Sequence, residues 1–459
     1  MAGSYLHKTP SQNPDSQTTW TISFWIKRCK LTSEQWVLTA EHGDTGNNFT
    51  AVYFAANDTL IWREEVSGSD VGALKTNRVF RDTSAWYHIV LKWDTTNATA
   101  GDRMKMFING VEEGSAGGYS TDTQPSQNQA AEWGTQEYQA IGVQALSGNA
   151  NNHLDAIMTH FHYTDGNAYD ASSFGETDAT TGEWKINTSP SVTYGTAGFF
   201  ILKDAYSGTD QSGNSNNWTG AGTGGTNTQD NPSNVFATLQ KLFLDDNDLT
   251  ISQGNTKVVE GSDNWRSAYS SLGASSGKFY CEAKVTYQNN TEAYVGVSHE
   301  DHLNNMASYG GSWGGVQNSG YDYVGYSDKS VSIYSNGDQD YPSGVAVGDT
   351  WQSSGDIMSI AMDLDNNKVY FAKNGVWANG SGGWGSSTFD SSVGGQTIVS
   401  GLTFFGFSPN QSTFEVNFGN GYFGTTAISS EGTNASGIGK FEFDVPAGYT
   451  ALSTKGLNA

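Results

Sequence analysis

Asp363 and Asp365 are the closest that the sequence comes to the paired carboxylates of a glycoside hydrolase. Retaining members of that class hold two carboxyl groups about 5 to 5.5 Å apart, commonly on alternate residues of one strand. Here the pair leads directly into Asn366-Asn367, which is a turn sequence, so we predict that both carboxylates stabilise a hairpin. Because no E-x-D-x-x-E or comparable triplet occurs in the chain, we expect no catalytic residues and no enzyme activity.

Histidines occur in two groups that invite comparison with metal sites. His160-x-His162 places two imidazoles on one face of an expected strand, with His153 a few residues upstream. His299 and His302 are three residues apart in an expected loop, whereas the zinc-protease motif needs two histidines four residues apart on a helix. We therefore predict partly buried or interface histidines and no metal ligands.

Calcium is the cofactor that the sequence leaves open. Counted from Asp363, an EF-hand loop would need Gly where Lys368 stands and Glu where Asn374 stands, so that motif fails. Acidic and amide-rich loops at Glu41–Asn48 and Asp245–Asp248 still offer oxygen atoms of the kind that calcium binds. We predict no cofactor and keep calcium as the alternative.

Aromatic residues are interleaved with glycine between Tyr309 and Tyr326, a segment too rich in glycine for an ordinary strand. Loops at one end of a β-sandwich are where such folds carry ligands. Trp313, Tyr321 and Tyr323 are therefore the candidate binding residues, because their rings could stack on the faces of sugars. The alternative is that these rings only cover the end of a sandwich.

The composition indicates which elements position these residues. Among 459 residues there are 56 Gly and 14 Trp, whereas charged residues make up only 15%, a balance that favours short strands and turns over helices. The aromatic content excludes a disordered acidic chain. A net charge of −24 repels nucleic acid, and apolar runs such as Ala197–Leu202 are far too short to span a membrane. We expect a folded protein that neither binds nucleic acid nor inserts into a membrane.

Alternating apolar residues predict strands, and one hairpin device occurs twice. Strands with alternating apolar residues run into Asn109-Gly110 and again into Asn374-Gly375, and Asn-Gly is typical of a two-residue hairpin turn with positive φ. The predicted core of the first domain is Ile22, Phe24, Ile89, Leu91, Met106 and Ile108.

The repeated hairpin predicts two independent β-sandwiches, since a chain of this length is too long for one hydrophobic core. The predicted boundaries are 1–172 for the first sandwich, 173–248 for a bridging segment and linker, and 249–459 for the second sandwich. Leu239–Leu249 is the best helical candidate. Cys29 and Cys281 fall in different domains, so we expect no disulfide, and Cys281 is predicted to be a small core residue.

Longer motifs extend these patterns along the chain. Those of the first half are YLHKTPSQNPDSQTTWTISFWIKRCKL, AWYHIVLKWD, MKMFINGV and LDAIMTHFHYTDGNAYDASSFGE. They resemble the laminin-G/concanavalin-like domain of marine bacteriophage virion proteins, and GTAGFFILKD and DQSGNSNNWT resemble the segment that leads to a second module in those proteins. The motifs of the second half resemble a SPRY domain: GKFYCEAKV, AYVGVS, GDIMSIAMDLDNNKVYFAKNGV, FFGFSPN and FEVNFG.

The resemblance covers nearly the whole chain and implies an all-β protein with two antiparallel β-sandwich (jelly-roll) domains, one concanavalin-like and one SPRY-like. It implies a non-enzymatic structural protein on the surface of a bacteriophage virion, assembled in the host bacterial cytoplasm and docked on the major capsid protein or on tail proteins. Capsid decoration is the first expectation. A tail fibre or tail accessory protein that binds a receptor is the alternative, and a polysaccharide depolymerase ranks third. Homo-oligomers and host surface glycans are the further partners left open.

Overall fold

The structure, a computed structural model, describes residues 3–43, 45–204, 206–222, 225–240, 249–261, 266–288, 293–303, 324, 329–339, 345–351 and 353–459. The chain divides into two compact units, Met1–Asn227 (unit 1) and Thr228–Ala459 (unit 2). Nearly all regular structure in the described residues is antiparallel β-sheet. The predicted all-β fold class is therefore confirmed. No helix in these residues has the length and apolarity that a membrane crossing requires.

Unit 1 consists of strands and a single short helix, α1 (Glu113–Ala116), among its described residues. Turns of 3-10 helix lie at Ala100–Asp102 and Ala171–Ser173. The strands are β1 (Tyr5–Lys8), β2 (Thr19–Arg28), β3 (Gln35–Glu41), β4 (Phe49–Phe54), β5 (Thr59–Val66), β6 (Ser69–Val79), β7 (Tyr87–Asp94), β8 (Met104–Ile108), β9 (Val111–Glu112), β10 (Tyr119–Thr123), β11 (Tyr138–Ile141), β12 (Gln144–Leu146), β13 (Asn149–Asn151), β14 (Ala156–Asp165), β15 (Gly175–Thr177), β16 (Trp184–Ile186), β17 (Phe199–Ile201) and β18 (Thr219–Ala221).

Two antiparallel sheets enclose the core of unit 1. One sheet has the order β10-β6-β5-β4-β3-β11-β1-β18 and the other β17-β14-β2-β7-β8-β9. Trp20 from the second sheet and Trp62 from the first have ring centroids 5.6 Å apart, so the core is formed by the facing surfaces of both sheets. All six predicted core residues lie in this core with exposures of at most 2%: Ile22, Phe24, Ile89, Leu91, Met106 and Ile108.

Strand β2 departs from the half-buried strand that its alternation predicts, because both of its faces are buried. Its outward residues include Thr21, Ser23 and Trp25, none of which is more than 4% exposed. Thr21 exchanges hydrogen bonds with the backbone of the segment that follows β14, and Trp25 stacks on His88 with a centroid distance of 4.7 Å. A polar outer face is therefore covered by later chain, which local alternation cannot reveal.

The segment predicted as a bridge lies partly inside unit 1. Residues 173–227 belong to this unit, in which β17 pairs with β14 and β18 pairs with β1. Trp218 is 6% exposed and packs on Phe199 and Trp133 of the core, with centroid distances of 5.0 and 6.1 Å. The observed division thus differs from the predicted boundary near residue 172.

A short polar motif holds this segment in place, and we call residues 208–218 the Asp210 latch. The Asp210 carboxylate accepts hydrogen bonds from the backbone N–H groups of Phe200, Ser212 and Asn216 at 2.8 to 2.9 Å. The Asn214 side-chain amide donates to the carbonyl oxygens of Gly195 and Gly198. Side chains thereby satisfy backbone groups that a sheet would otherwise pair, which explains how a Gly/Ser/Asn-rich run is ordered.

Unit 2 contains the remaining strands, a 3-10 turn at Gly456–Asn458 and a helical turn at 300–303. The strands are β19 (Leu239–Gln240), β20 (Leu249–Ser252), β21 (Lys257–Glu260), β22 (Ala268–Ser270), β23 (Lys278–Gln288), β24 (Tyr294–His299), β25 (Ser330–Tyr334), β26 (Asp338–Gln339), β27 (Val345–Ala346), β28 (Ile357–Asp363), β29 (Lys368–Lys373), β30 (Val376–Ala378), β31 (Trp384–Ser386), β32 (Gln396–Thr397), β33 (Thr403–Ser408), β34 (Ser412–Asn417), β35 (Tyr422–Phe423), β36 (Thr426–Ala427) and β37 (Thr450–Ala451).

Two main sheets also form unit 2, in the orders β19-β22-β33-β24-β25 and β20-β21-β34-β23-β28-β29-β30-β31, with β32 beside β29 and β37 beside β23. The helix predicted at Leu239–Leu249 is wrong at its described ends, because Leu239 lies in β19 and Leu249 begins β20; residues 241–248 lie outside the described part. Leu239 is fully buried in the core, and pairing with β22 stabilises the extended conformation. Cys281 is a buried core residue, as predicted.

Both predicted Asn-Gly hairpins are present. Asn109 and Gly110 have φ values of 48° and 83° and connect β8 to β9, while Asn374 and Gly375 have values of 49° and 77° and connect β29 to β30. Positive φ at both central residues is the requirement that predicted this turn. Each unit therefore contains a two-residue Asn-Gly hairpin turn towards the edge of one sheet.

Leu91→Asp is expected to abolish soluble expression of the full chain. Leu91 has no exposed surface, and the substitution places an unpaired carboxylate in an apolar core. Val111→Asp is the matched control, because Val111 is 52% exposed at the edge strand β9. Comparison of the soluble fractions tests the assignment, and a soluble, cooperatively melting Leu91→Asp protein would contradict it.

Candidate functional site

The candidate binding residues Trp313, Tyr321 and Tyr323 lie outside the residues that the structure describes. Their role in binding therefore remains a prediction. The loop Asp245–Asp248, one of the two calcium alternatives, also lies outside the described part.

A concave site is present in unit 2, beside strands β29, β30 and β31. We call it the edge groove. It encloses a cavity of about 310 Å³ next to a register shift between Trp377 and Ala378 in the pairing of β30 with β31. The loop 387–395 passes over the outer face of β29, where a Cβ atom at Gly395 would lie 2.6 Å from the Tyr370 ring. Glycine at this position allows the loop to approach the sheet and form one wall of the cavity.

Three aromatic side chains form the apolar wall of the edge groove. The Phe389 ring meets Tyr370 and Trp377 edge-on, with centroid distances of 5.0 and 4.8 Å. The Tyr370 hydroxyl donates a 2.8 Å hydrogen bond to the carbonyl oxygen of Ser391, which fixes the loop to the sheet. Val393, 40% exposed, adds an apolar side chain to the lining. Edge-to-face packing of this kind holds the rings in fixed orientations.

Polar side chains complete the lining of the edge groove. Oδ1 of Asp390 accepts hydrogen bonds from the backbone N–H and hydroxyl of Ser392, and these bonds lower the pKa of the Asp390 carboxyl. Oδ1 of Asn379 accepts from the backbone N–H groups of Ser381 and Gly383. Within the described residues, Oδ2 of Asp390 and the side-chain N–H groups of Asn379 have no partner. The site therefore offers both an ionised acceptor and an amide donor to a ligand.

Ser23 and His88 of unit 1 are as close as the serine and histidine of a catalytic pair, but the imidazole proton is on the nitrogen that faces the serine. The Ser23 Oγ and His88 Nε2 atoms are 2.8 Å apart in the interior. Indole nitrogen is only a donor, and Trp184 Nε1 donates to His88 Nδ1 at 2.9 Å, so Nε2 must carry the imidazole proton. Burial lowers the pKa of His88 to about 3. The imidazole therefore donates to Ser23 and cannot accept its proton as a general base.

His160 and His162 do share a strand face, as their spacing predicts. Both rings contact Phe200, with centroid distances of 5.4 and 3.9 Å. The Tyr194 hydroxyl and His162 Nδ1 are 2.9 Å apart, and burial lowers the pKa of both imidazoles. In the described part of the chain, no three His, Cys, Asp or Glu side chains form a group that could hold a metal ion. These histidines are packing residues of unit 1.

Three of the carboxylates considered as catalytic or calcium-binding groups, Asp363, Asp365 and Glu41, lie in the described residues and stabilise loops. Asp363 accepts from the backbone and side chain of Asn366 and forms a 2.9 Å ion pair with Lys278. Asp365 accepts a 2.8 Å hydrogen bond from the backbone N–H of Gly277. Glu41, in the other calcium alternative, accepts from the backbone N–H groups of Gly46 and Ser147. Each carboxylate is thus already engaged with protein donors.

Glu282 is a buried carboxylate that sequence patterning did not identify. Its two oxygens accept from the backbone N–H groups of Glu442 and Phe443, both at 2.9 Å, and from the side chains of Asn417 and Tyr280. It therefore fastens the C-terminal segment to β23. Burial raises the pKa of Glu282 to about 7, although all four donors favour the ionised form.

Unit 2 is expected to lose stability as the pH rises from about 4.5 to about 7. The native pKa of Glu282 lies above its unfolded value, so the native state binds the proton more tightly. Its contribution is complete below the unfolded pKa and disappears as the pH passes the native pKa. The slowest-exchanging core amides of unit 2, which report its global unfolding, should exchange faster over this interval beyond the intrinsic pH effect. An unchanged protection factor would contradict this assignment.

Residues 2–149 match the family model described as the concanavalin A-like lectin/glucanases superfamily, Laminin_G_3. Within unit 1, this range is therefore similar to that family. No curated protein sequence matches the chain.

Solved structures resemble parts of the chain at low identity. The SPRY domain of human HERC1 is 13% identical, with a TM-score of 0.27 and coverage of 39% of this chain and 96% of that domain. A heptameric SAP-like pentraxin from Limulus polyphemus is 17% identical, with a TM-score of 0.27 and coverage of 37% and 72%. The CBM40 of a Ruminococcus gnavus sialidase, bound to α2,3 sialyllactose, is 16% identical, with a TM-score of 0.23 and coverage of 31% and 74%. Likenesses of this size do not assign a function.

Proposed function

We propose that this chain is a non-enzymatic structural protein on the surface of a bacteriophage virion, where its lectin-type units face outward. Capsid decoration is the preferred position, with the major capsid protein as the docking partner. The proposal draws on the resemblance of its motifs to virion proteins and on a fold that suits binding.

The Asp210 latch is the observation that carries the proposal. The bridging segment is the most specific part of the resemblance to virion proteins, and its motif DQSGNSNNWT supplies most of this latch. Asp210, Asn214 and Trp218 each have a defined structural task in it. A resemblance in which most polar side chains of the motif hold the backbone in place supports common architecture over a chance match in composition. His88 donates its proton to Ser23 and so cannot activate that hydroxyl as a nucleophile, which further favours binding over catalysis.

Quantitative mass spectrometry of purified particles tests the proposed location. Capsid decoration predicts tens to hundreds of copies of this chain per particle, on the order of the capsid lattice. The alternative, a receptor-binding tail fibre or tail accessory protein, predicts about six to eighteen copies, in keeping with the low-order symmetry of closed oligomers. Absence of the chain from particles, while the capsid and tail proteins are detected, would overturn both positions.

A further inference from the structure

We propose that the edge groove of unit 2 binds an uncharged saccharide, with Asp390 and Asn379 as its hydrogen-bonding residues and the rings of Phe389 and Trp377 as its apolar wall. The biological meaning of this inference rests on the proposed surface role, because a displayed saccharide site would serve adsorption to the host. The binding itself is a property of the isolated chain.

The chemistry of the lining selects a hydroxyl-rich ligand. Small-molecule sites are concave, mostly apolar and about 300 to 1,000 Å³ in volume, with a few polar groups that fix orientation. The edge groove, at about 310 Å³, falls at the small end of this range and so suits one or two sugar rings. A sugar presents C–H groups on its ring faces and hydroxyls at its edge, and each hydroxyl both donates and accepts. Aromatic walls beside a carboxylate acceptor and an amide donor complement both parts.

Charge decides between neutral and acidic sugars. Asp390 is the one charged residue among the described residues that line the cavity, and its hydrogen bonds to Ser392 favour the ionised carboxylate. A uronic or sialic acid would bring a second negative charge next to it with no cation to compensate, at a cost in both Coulomb repulsion and desolvation. A carboxylate that accepts from a sugar hydroxyl instead forms a charge-assisted hydrogen bond. The ligand class is therefore the neutral hexoses and their N-acetyl derivatives.

Saturation-transfer NMR on the full chain tests the inference with methyl glycosides of glucose, galactose, mannose and N-acetylglucosamine, alongside glucuronic and sialic acids. At least one neutral glycoside is expected to bind, and the acids are expected to bind more weakly. Asp390→Asn keeps an oxygen for Ser392 and removes the ionised acceptor, so the affinity should fall by about tenfold or more.

Asp444→Asn is the matched control. Asp444 also accepts from a backbone N–H and a hydroxyl through one oxygen, those of Thr433, but it does not line the cavity. This variant should bind as the wild type does, whereas Val393→Trp, which fills the groove from an exposed position, should abolish binding. If Asp390→Asn lowers the melting temperature, the loss of binding in Val393→Trp still tests whether the groove is the binding site.

Three results would overturn the inference: no binding of any neutral glycoside, tighter binding of the acids, or unchanged affinity in both groove variants. The copy number in particles does not depend on saccharide binding. A negative binding result therefore does not affect the proposed location in the virion. Absence of the chain from particles, in turn, does not affect the proposed saccharide site.

Discussion

A chain that ends at residue 172 is expected to remain unfolded, whereas a chain that ends at Asn227 is expected to fold and melt cooperatively. Truncation at 172 removes Phe199, Ile201 and Trp218 from the core of unit 1. Each large apolar side chain contributes about 1.5 to 3 kcal/mol on burial, so the three together contribute roughly 5 to 9 kcal/mol. A typical domain has a net stability of only about 5 to 15 kcal/mol, so a loss of this size is comparable to the whole of it.

Circular dichroism and thermal melting of the two fragments measure this difference. Trp218→Ala within 1–227 provides an intermediate case, because it leaves both strand pairings intact and should lower the free energy of unfolding by about 3 to 5 kcal/mol. A cooperative melt of the fragment 1–172 would contradict the assignment of the following segment to the core of unit 1.

Asp58→Asn is expected to lower the free energy of unfolding of unit 1 by about 3 to 5 kcal/mol, because it leaves a buried guanidinium without its counter-charge. Arg28 and Asp58 form a 3.1 Å ion pair in which neither side chain is exposed. Burial disfavours the Asp58 carboxylate, but hydrogen bonds from the Thr32 N–H and from Arg81 and Arg28 outweigh it and lower the pKa of Asp58. Asparagine fits the same space and tolerates the φ of 66° at this position, so the change removes the charge and one acceptor oxygen without altering the backbone.

Asp70→Asn is the control for this prediction. Asp70 forms a 2.8 Å ion pair with Arg63, but both side chains are partly exposed, at 38% and 28%. Solvent-exposed pairs contribute about 0 to 1 kcal/mol, so this variant should unfold almost as the wild type does. Urea denaturation of the fragment 1–227 compares the two, and equal losses in both variants would contradict the assigned role of the buried pair.

Local patterns predicted the strands because alternation and Asn-Gly turns are determined by neighbouring residues. Phe24 and Leu91 were assigned to the correct face, and Asn109 and Asn374 adopt the φ that their hairpins require. These features depend on the chain over only a few residues. The fold class follows from them without knowledge of long-range contacts.

The division between the units was harder to predict because the composition of the segment before it suggests a flexible linker, whereas contacts with distant residues give that segment a fixed structure. The residues around Asp210 resemble a flexible linker in composition, yet side-chain hydrogen bonds to Phe200 and Gly198 give them a fixed structure. Leu239 is a strong helix former that lies in a strand, because pairing with β22 and burial outweigh a weak local preference.

The edge groove could not be predicted because its residues come from separate strands and a loop, and none of them belongs to a recognisable sequence motif. Phe389 and Asp390 lie in a glycine- and serine-rich loop, and only the passage of that loop across Tyr370 brings them to the cavity. The aromatic cluster around Trp313 gave the stronger sequence signal for binding. A signal for the groove was present in Gly395, whose missing side chain permits the close approach of loop and ring.

Immunogold electron microscopy of intact, purified phage particles tests the central claim most directly, with an antibody raised against the fragment 228–459. Display of this chain on the particle surface predicts gold on the outside of intact particles, distributed over the capsid for a decoration protein. Particles that label only after disruption, or not at all while a capsid antibody labels them, would contradict the proposed role.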